Sequence, residues 1–342
     1  MSTLSSNRVL ISALASLAVA SLASADTRAF QGVNWAVLGD NFVEDILVLH
    51  GLEESDDYDT VRAIADVIYT GFEDNLGINT IRLPVNTHTT GSTWWDAYSG
   101  VIDAASDRDI KVILAYWEDG AASAGKIVDY NAWNTMWDIV VDKYGNDSLI
   151  HFEPMNEPHG YTAAAWKDVA AGWIDRYSFI PRERLLIGGT GYSQDARPIC
   201  ADSRFDGTLV SHHVYEFMRR DVTTYDGWLK VYQDGVGDSA CSSRIVTTEF
   251  GAPMDKGFDY EQGPDSGENF VRYFHAVTEL MRELRIGSTY WPALGGKITA
   301  GQSDDHYSIQ KMTGTGTDLT LTTPSVSGSQ RLFYGWGRPS AC

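Results

Sequence analysis

The sequence predicts an α/β protein folded as one (β/α)8 barrel, with long loops after its first and eighth strands. Three observations carry that prediction. Short apolar runs alternate with helix-period segments along nearly the whole chain, which implies a parallel sheet. Eight such units fit in about 300 residues, the size of one closed barrel. The rival is an open, doubly wound sheet, which wants a GxGxxG turn after its first strand. Gly32-Val33-Asn34-Trp35 stands there instead.

The elements follow in order. Residues 30–35 form the first strand. A helical pattern over 61–74 leads to the second strand at 79–85 (NTIRLPV). Helices over 95–106, 132–144 and 163–177 lead to strands at 111–117 (KVILAYW), 149–153 and 185–189. The sixth strand is 209–214. Helices over 225–236 and 270–284 precede strands at 245–250 and 287–291, and a last helix covers 329–336. Two stretches break the alternation: an acidic insertion at 36–59, and a Gly- and Thr-rich segment at 292–324. The latter contains a small hairpin built from 307–312 and 317–322. In a barrel both insertions fall at the C-terminal ends of strands, where substrate sites form, so they read as cleft walls.

Composition narrows the function. Lys and Arg total 26 against 46 Asp and Glu, a net charge of −20. No basic stripe is available for phosphate, so nucleic acid is excluded as a partner and an anionic membrane surface is disfavoured. The 11 Trp and 17 Tyr either fill a core or stack on flat ligands. No CxxC or HxxxH spacing suggests a zinc site, and neither a cofactor nor a metal is expected.

The N-terminus reads as a secretory signal over residues 1–25. Arg8 supplies the positive start, 9–23 the apolar stretch, and Ala23-Ser24-Ala25 the cleavage pattern. That stretch is shorter than the roughly 20 residues a membrane anchor needs. The expectation is a secreted, monomeric catalytic domain over 26–342. An oxidising compartment permits a disulfide among Cys200, Cys241 and Cys342. Cys200 with Cys241 is the expected pair, and Cys342 the alternative partner. Asn146-Asp147-Ser148 is a glycosylation sequon if the host is eukaryotic.

Two carboxylates carry the chemistry. Asn156-Glu157 sits just past the apolar fourth strand and is stopped by Pro158. Glu249 ends the apolar seventh strand, and Gly251 permits a close turn beside it. Strands four and seven face each other across a barrel mouth. Carboxylates opposed in this way can cleave an acetal by acid/base and nucleophilic work.

The surrounding motifs complete a resemblance. Asn156-Glu157-Pro158 resembles the acid/base motif of glycoside hydrolase family 5, within the clan of retaining (β/α)8 glycosidases. Ile81-Arg82-Leu83-Pro84-Val85 resembles its second strand, His213-Val214-Tyr215 its His-x-Tyr after strand six, Glu249 its nucleophile, and Trp291 the Trp ending strand eight. The likeness spans about 30–336. It implies that Glu157 protonates the leaving oxygen, which requires a raised pKa, and that Glu249 attacks the anomeric carbon. It further implies that Arg82 keeps Glu249 ionised, Asn156 binds the sugar 2-OH, Tyr215 bonds the nucleophile, His213 orients the acid or a sugar hydroxyl, and Trp291 stacks on the sugar. His212 is the register alternative to His213.

One departure stands out. The family commonly carries a His near the end of strand three, where this chain has Tyr116 and Trp117. Trp117 is the expected cleft residue, and Trp35, Trp94 and Trp95 are further candidate platforms. The resemblance implies a polysaccharide or oligosaccharide substrate, with a cellulase-like endo-β-1,4-glucanase first. Mannanase, β-1,3- or β-1,6-glucanase, galactan-active and exo-acting enzymes remain open, as does a catalytically dead carbohydrate-binding barrel. An inverting enzyme is separable by its wider carboxyl spacing.

Overall fold

The computed structural model describes residues 27–338. The expected signal segment and Cys342 lie outside the described residues. Eight strands form the barrel: β1 (Gln31–Leu38), β2 (Thr80–Val85), β3 (Lys111–Tyr116), β4 (Ile150–Glu153), β5 (Leu186–Gly188), β6 (Leu209–Val214), β7 (Ile245–Phe250) and β8 (Gly287–Gly296). They run parallel in the order β4-β3-β2-β1-β8-β7-β6-β5. A single parallel bridge, Phe152 to Leu185, closes β4 on β5. Side chains supply what this short seam lacks in ladder bonds. Arg184 Nε donates to the Ile150 carbonyl at 2.7 Å, and Trp166 Nε1 to the Gly188 carbonyl at 3.0 Å.

Helices wrap the outside: α1 (Tyr58–Leu76), α2 (Trp94–Ser106), α3 (Tyr130–Tyr144), α4 (Ala163–Arg176), α5 (Tyr225–Val236), α6 (Asn269–Leu284) and α7 (Val326–Gly335). Their starts are set by short polar side chains that bond otherwise unpartnered N–H groups. Asp57 accepts from the Thr60 amide, Asp129 from Ala132, Thr162 from Ala165 and Thr224 from Gly227. Gly77 ends α1 in the left-handed conformation, at φ 60°. Between β5 and β6 the crossover has only short turns, including Thr190–Ser193 and Arg197–Cys200. The expected Cys200–Cys241 disulfide ties this crossover to the turn before β7.

Period-two alternation along the strands separates two cores. Val33 and Trp35 of β1, Ile81, Leu83 and Val85 of β2, and Val112, Leu114 and Tyr116 of β3 pack outward under the helices. The alternate residues fill the barrel. Phe30, Ile113, Leu186, Leu209 and Val246 form an apolar floor. Each such buried side chain stabilises by roughly 1.5–3 kcal/mol, and Ile113→Ala would cost about 2–5 kcal/mol because the closed barrel cannot collapse around the hole. Above the floor the inward positions turn polar, at Asn34, Arg82, Glu153, Ser211 and Thr248, all buried. Aromatics close the top: Trp117, Tyr215, Trp291 and Tyr307.

The insertion after β8 differs from the expectation. β8 continues to Gly296, five residues past the expected end at Trp291. The small hairpin pairs Lys311–Thr313 with Thr320–Thr322. Residues 307–310 do not join it, because the Ile309 and Gln310 amides bond to the Pro292 and Ala293 carbonyls of β8, at 3.1 and 3.2 Å.

Candidate active site

Arg82 is the hub of the site. It projects inward from β2 and is fully buried, so each of its donors needs a partner. Nε donates to Glu153 Oε2 at 2.8 Å, Nη1 to Glu249 Oε1 at 2.6 Å and to Asn34 Oδ1 at 3.1 Å, and Nη2 to Asn156 Oδ1 at 2.8 Å. One guanidinium thus serves strands β1, β4 and β7 together with the loop after β4. Glu153 takes a second bond from Ser211 Oγ at 2.8 Å.

Glu249 owes its inward aim to a strand irregularity. His212 stands opposite Thr247, but His213 stands opposite Glu249, so Thr248 is the extra residue of a bulge. Thr248 and Glu249 consequently both reach interior partners. Thr248 Oγ1 pairs with Ser211 Oγ and with His213 Nε2. Glu249 Oε2 accepts from the Tyr215 hydroxyl at 3.0 Å. Burial pushes the Glu249 carboxyl above its ordinary value, and the Arg82 cation opposes that rise. Both Glu249 oxygens accept from donors, contacts that serve the ionised form. Gly251 makes the following turn possible, since a Cβ there would meet the Trp291 carbonyl at 2.3 Å.

Glu157 holds the opposite wall with its backbone in the left-handed region, φ 47°. A non-glycine residue there carries strain, which the following Pro158 and the Asn156–Arg82 bond help to hold. Glu157 Oε1 lies 3.0 Å from His213 Nδ1. Burial raises the Glu157 carboxyl to about 7, with Arg82 and His159 opposing. Burial also lowers His213 to about 4, so that ring is neutral at neutral pH. Glu157 is therefore poised near neutrality as a proton donor.

Glu157, His213 and Glu249 each bring one ligand-type atom within 4.8 Å of the others. Such a set could hold a metal ion by donor type, but Arg82 already places a cation against Glu249. The cleft above has a volume of about 1080 Å³ and is lined by Asn156, Glu157, Tyr215, Glu249, Trp291 and Trp117, among others. Trp291 is 9% exposed and Trp117 only 1%. Their rings stack at 5.7 Å and 21°, and the Arg82 guanidinium lies 4.5 Å over Trp117. Arg82, Trp117 and Trp291 are therefore linked by successive ring contacts.

Arg82, Asn156, Glu157, His213, Tyr215, Glu249, Trp291 and Trp117 thus come together as the motifs implied. Trp35 does not join them. It shares the outward parity of Val33, donates from Nε1 to the His50 carbonyl at 2.9 Å, and packs on Tyr69 and Phe72. Its neighbour Asn34 is the inward residue. Trp94 donates to the Leu47 carbonyl, and Trp95 packs on Tyr98 and Tyr144. Tyr116 faces outward and bonds Asp119, while His212 packs edge-on to Tyr232. Asn34, Glu153, Ser211 and Thr248 escaped the sequence reading. The available signal was a polar residue at inward parity within an apolar strand.

The sequence over residues 61–295 matches the family model for cellulase (glycosyl hydrolase family 5), more than half of the chain. The chain belongs to glycosyl hydrolase family 5. As a family 5 member it is a retaining glycoside hydrolase. Solved structures share the fold at low identity. The catalytic domain of the major endoglucanase from Xanthomonas campestris pv. campestris aligns at TM-score 0.64 and 17% identity, over 90% of this chain and 94% of that one. A triple mutant of the endo-beta-1,4-glucanase from Xanthomonas axonopodis pv. citri aligns at 0.61 and 16%, over 90% and 99%. An endocellulase from Pyrococcus horikoshii, in complex with cellotetraose, aligns at 0.62 and 17%, over 90% and 88%. The sequence matches none of the curated proteins.

Proposed function

We propose that this family 5 enzyme is a secreted, monomeric endo-β-1,4-glucanase that works by double displacement. The observation that carries the reading is the pair Glu157 and Glu249, which bring one carboxylate oxygen each within 4.8 Å of the other at the base of a cleft of about 1080 Å³, a close approach that favours the narrower of the two known spacings. Retaining pairs stand roughly 5–5.5 Å apart, whereas an inverting pair leaves roughly 6.5–9.5 Å for a water.

The roles follow from the contacts. Glu157, protonated near neutrality, gives its proton to the glycosidic oxygen as Glu249 attacks the anomeric carbon. Glu157 then takes a proton from water, which displaces Glu249. Arg82 and Tyr215 hold Glu249 ionised and aimed. His213, neutral, holds the Glu157 carboxyl. Asn156 spends its Oδ1 on Arg82, which leaves its Nδ2 to donate to a sugar 2-OH. Trp291 offers its face to the reacting sugar. The relatives described as endoglucanases or bound to cellotetraose support a glucan substrate. The 1–25 segment supports secretion, and among the described residues no helix is long and apolar enough to cross a membrane.

The test is hydrolysis of a polysaccharide panel with viscosity and reducing ends followed together. An endo-glucanase lowers the viscosity of a soluble cellulose derivative well before reducing ends accumulate, and Glu249→Ala abolishes both changes. Faster release from mannan, galactan or β-1,3-glucan would reassign the substrate, and release of single terminal sugars would reassign the mode.

A further inference from the structure

The loop that carries Glu157 leans on a second loop that the catalytic assignment does not use. After β3 the chain folds into a short hairpin that pairs Ala122–Ser123 with Lys126–Ile127. Its two-residue turn, Ala124-Gly125, has both residues in the left-handed region, at φ 52° and 72°. That is the geometry the tightest hairpins use, and Ala carries strain in it where Gly does not. The turn meets the Glu157 loop backbone to backbone. The Gly160 amide donates to the Gly125 carbonyl at 3.0 Å. A Cβ on Gly125 would lie 2.5 Å from the Gly160 nitrogen and from His159 Nδ1, and a Cβ on Gly160 would overlap the Ala124 carbonyl. One residue further on, the Ile127 amide donates to the Tyr161 hydroxyl at 2.9 Å. His159 passes the contact to the acid, since its amide nitrogen and its Nδ1 lie 2.6 and 2.9 Å from the Glu157 carbonyl oxygen.

One side chain ties down the turn. Glu118 Oε1 accepts from the Gly125 amide at 2.6 Å, and Glu118 stands just past β3, where the Trp117 amide still bonds to the Val85 carbonyl of β2. The bond therefore anchors the hairpin tip to the barrel wall. We propose that Glu118 is a positioning residue for the acid/base: by fixing the Ala124-Gly125 turn against His159 and Gly160, it keeps the Glu157 carboxyl seated against His213. The proposal rests on Glu157 being the acid/base. Its consequence is electrostatic. Burial lifts the Glu157 carboxyl to about 7, and a loop without its brace admits water, which lets the carboxyl fall toward its ordinary 4.5. The groups that face that carboxyl are Arg82 from β2, His213 and Tyr215 from β6 and its end, Glu249 from β7, Asp40 after β1, Lys297 after β8, and His159 from its own loop. None of them belongs to the hairpin, so removing the Gly125 acceptor acts through the position of the loop.

The experiment follows kcat/KM against pH for cellotetraose, whose leaving sugar needs the proton, and for a dinitrophenyl cellobioside, whose leaving group does not. Glu118→Ala should move the alkaline fall of the cellotetraose rate down by about one pH unit, a loss of roughly five-fold at about pH 7 and hardly any at about pH 5. The dinitrophenyl substrate should keep its wild-type rate throughout. Glu118→Gln keeps an acceptor oxygen at the same reach and removes the charge, and it should restore the wild-type profile. Gly125→Ala, which presses on His159 and leaves Glu118 intact, should reproduce the shift. A profile unmoved in both alanine variants would overturn the proposal. So would a Glu118→Gln profile that matches Glu118→Ala, because the shift would then come from a lost charge. Losses equal on both substrates and at both pH values would mark general damage and overturn it as well. The acid assignment fails separately, by equal losses on the two substrates in Glu157→Ala.

Discussion

Arg82→Met is the perturbation that most directly tests how the site is built. The substitution keeps a long side chain and removes the charge. Glu153 and Glu249 then share a buried space without the cation that now contacts both, at 2.8 and 2.6 Å. Breaking a buried ion pair on one side costs about 3–5 kcal/mol, because the remaining charge is left without compensation. The sign of its pH dependence follows. Without Arg82 the Glu249 carboxyl, already raised by burial, rises further in the folded state, while its unfolded value stays at about 4.3. The folded variant then binds more protons than its unfolded chain, and its stability falls as pH rises between those values. Each such proton is worth about 1.4 kcal/mol per pH unit. Urea unfolding followed by tryptophan fluorescence, on both proteins at about pH 8 and about pH 5, reads the difference. The gap between wild type and variant should be narrower at pH 5 by about 1.4 kcal/mol or more. A gap that stays constant, or widens in acid, would refute the view that Arg82 compensates two buried carboxylates.

Four further outcomes follow. Glu157→Ala should lose far more activity on polysaccharide than on substrates with good leaving groups, and azide should restore turnover and yield a β-glycosyl azide. In the wild type the rate should fall as pH rises through about 7, where Glu157 loses the proton it must donate. Trp117→Ala should lower kcat/KM roughly ten-fold by removing the ring that contacts both Trp291 and Arg82, and Trp117→His should shift preference among gluco-, manno- and galacto-configured aryl glycosides; unchanged rates on all three would reduce Trp117 to packing. Removing the Cys200–Cys241 bridge, which closes 41 residues of sequence separation, should cost about 4 kcal/mol in unfolding experiments with little change in rate.

The strands were legible because each is a run of apolar residues between turn signals, and β6 and β7 fall on their expected residues. The catalytic candidates were legible for a related reason, since a lone carboxylate at the end of such a run has no packing role. Facing was harder to read. Trp35 drew notice as a large aromatic, yet its parity with Val33 turns it under α1, and the modest Asn34 beside it reaches the site. Strict alternation would also have turned Thr248 and Glu249 to opposite faces; the bulge overrides it, and a bulge leaves no mark in a sequence of this kind. Glu153 hid inside the strand itself. Its buried charge is tolerable only beside Arg82, 71 residues earlier, a pairing that only the closed barrel creates.

The single bridge between β4 and β5 also divides the molecule into two unequal chemical endowments. The half before it carries Asn34, Arg82, Glu153, Asn156 and Glu157. The half after it carries His213, Tyr215, Glu249 and Trp291. On the proposed roles one half holds the acid and the other the nucleophile, so neither half carries both. A chain severed at that joint would leave two fragments, each inert, whose catalytic rate would report their reunion.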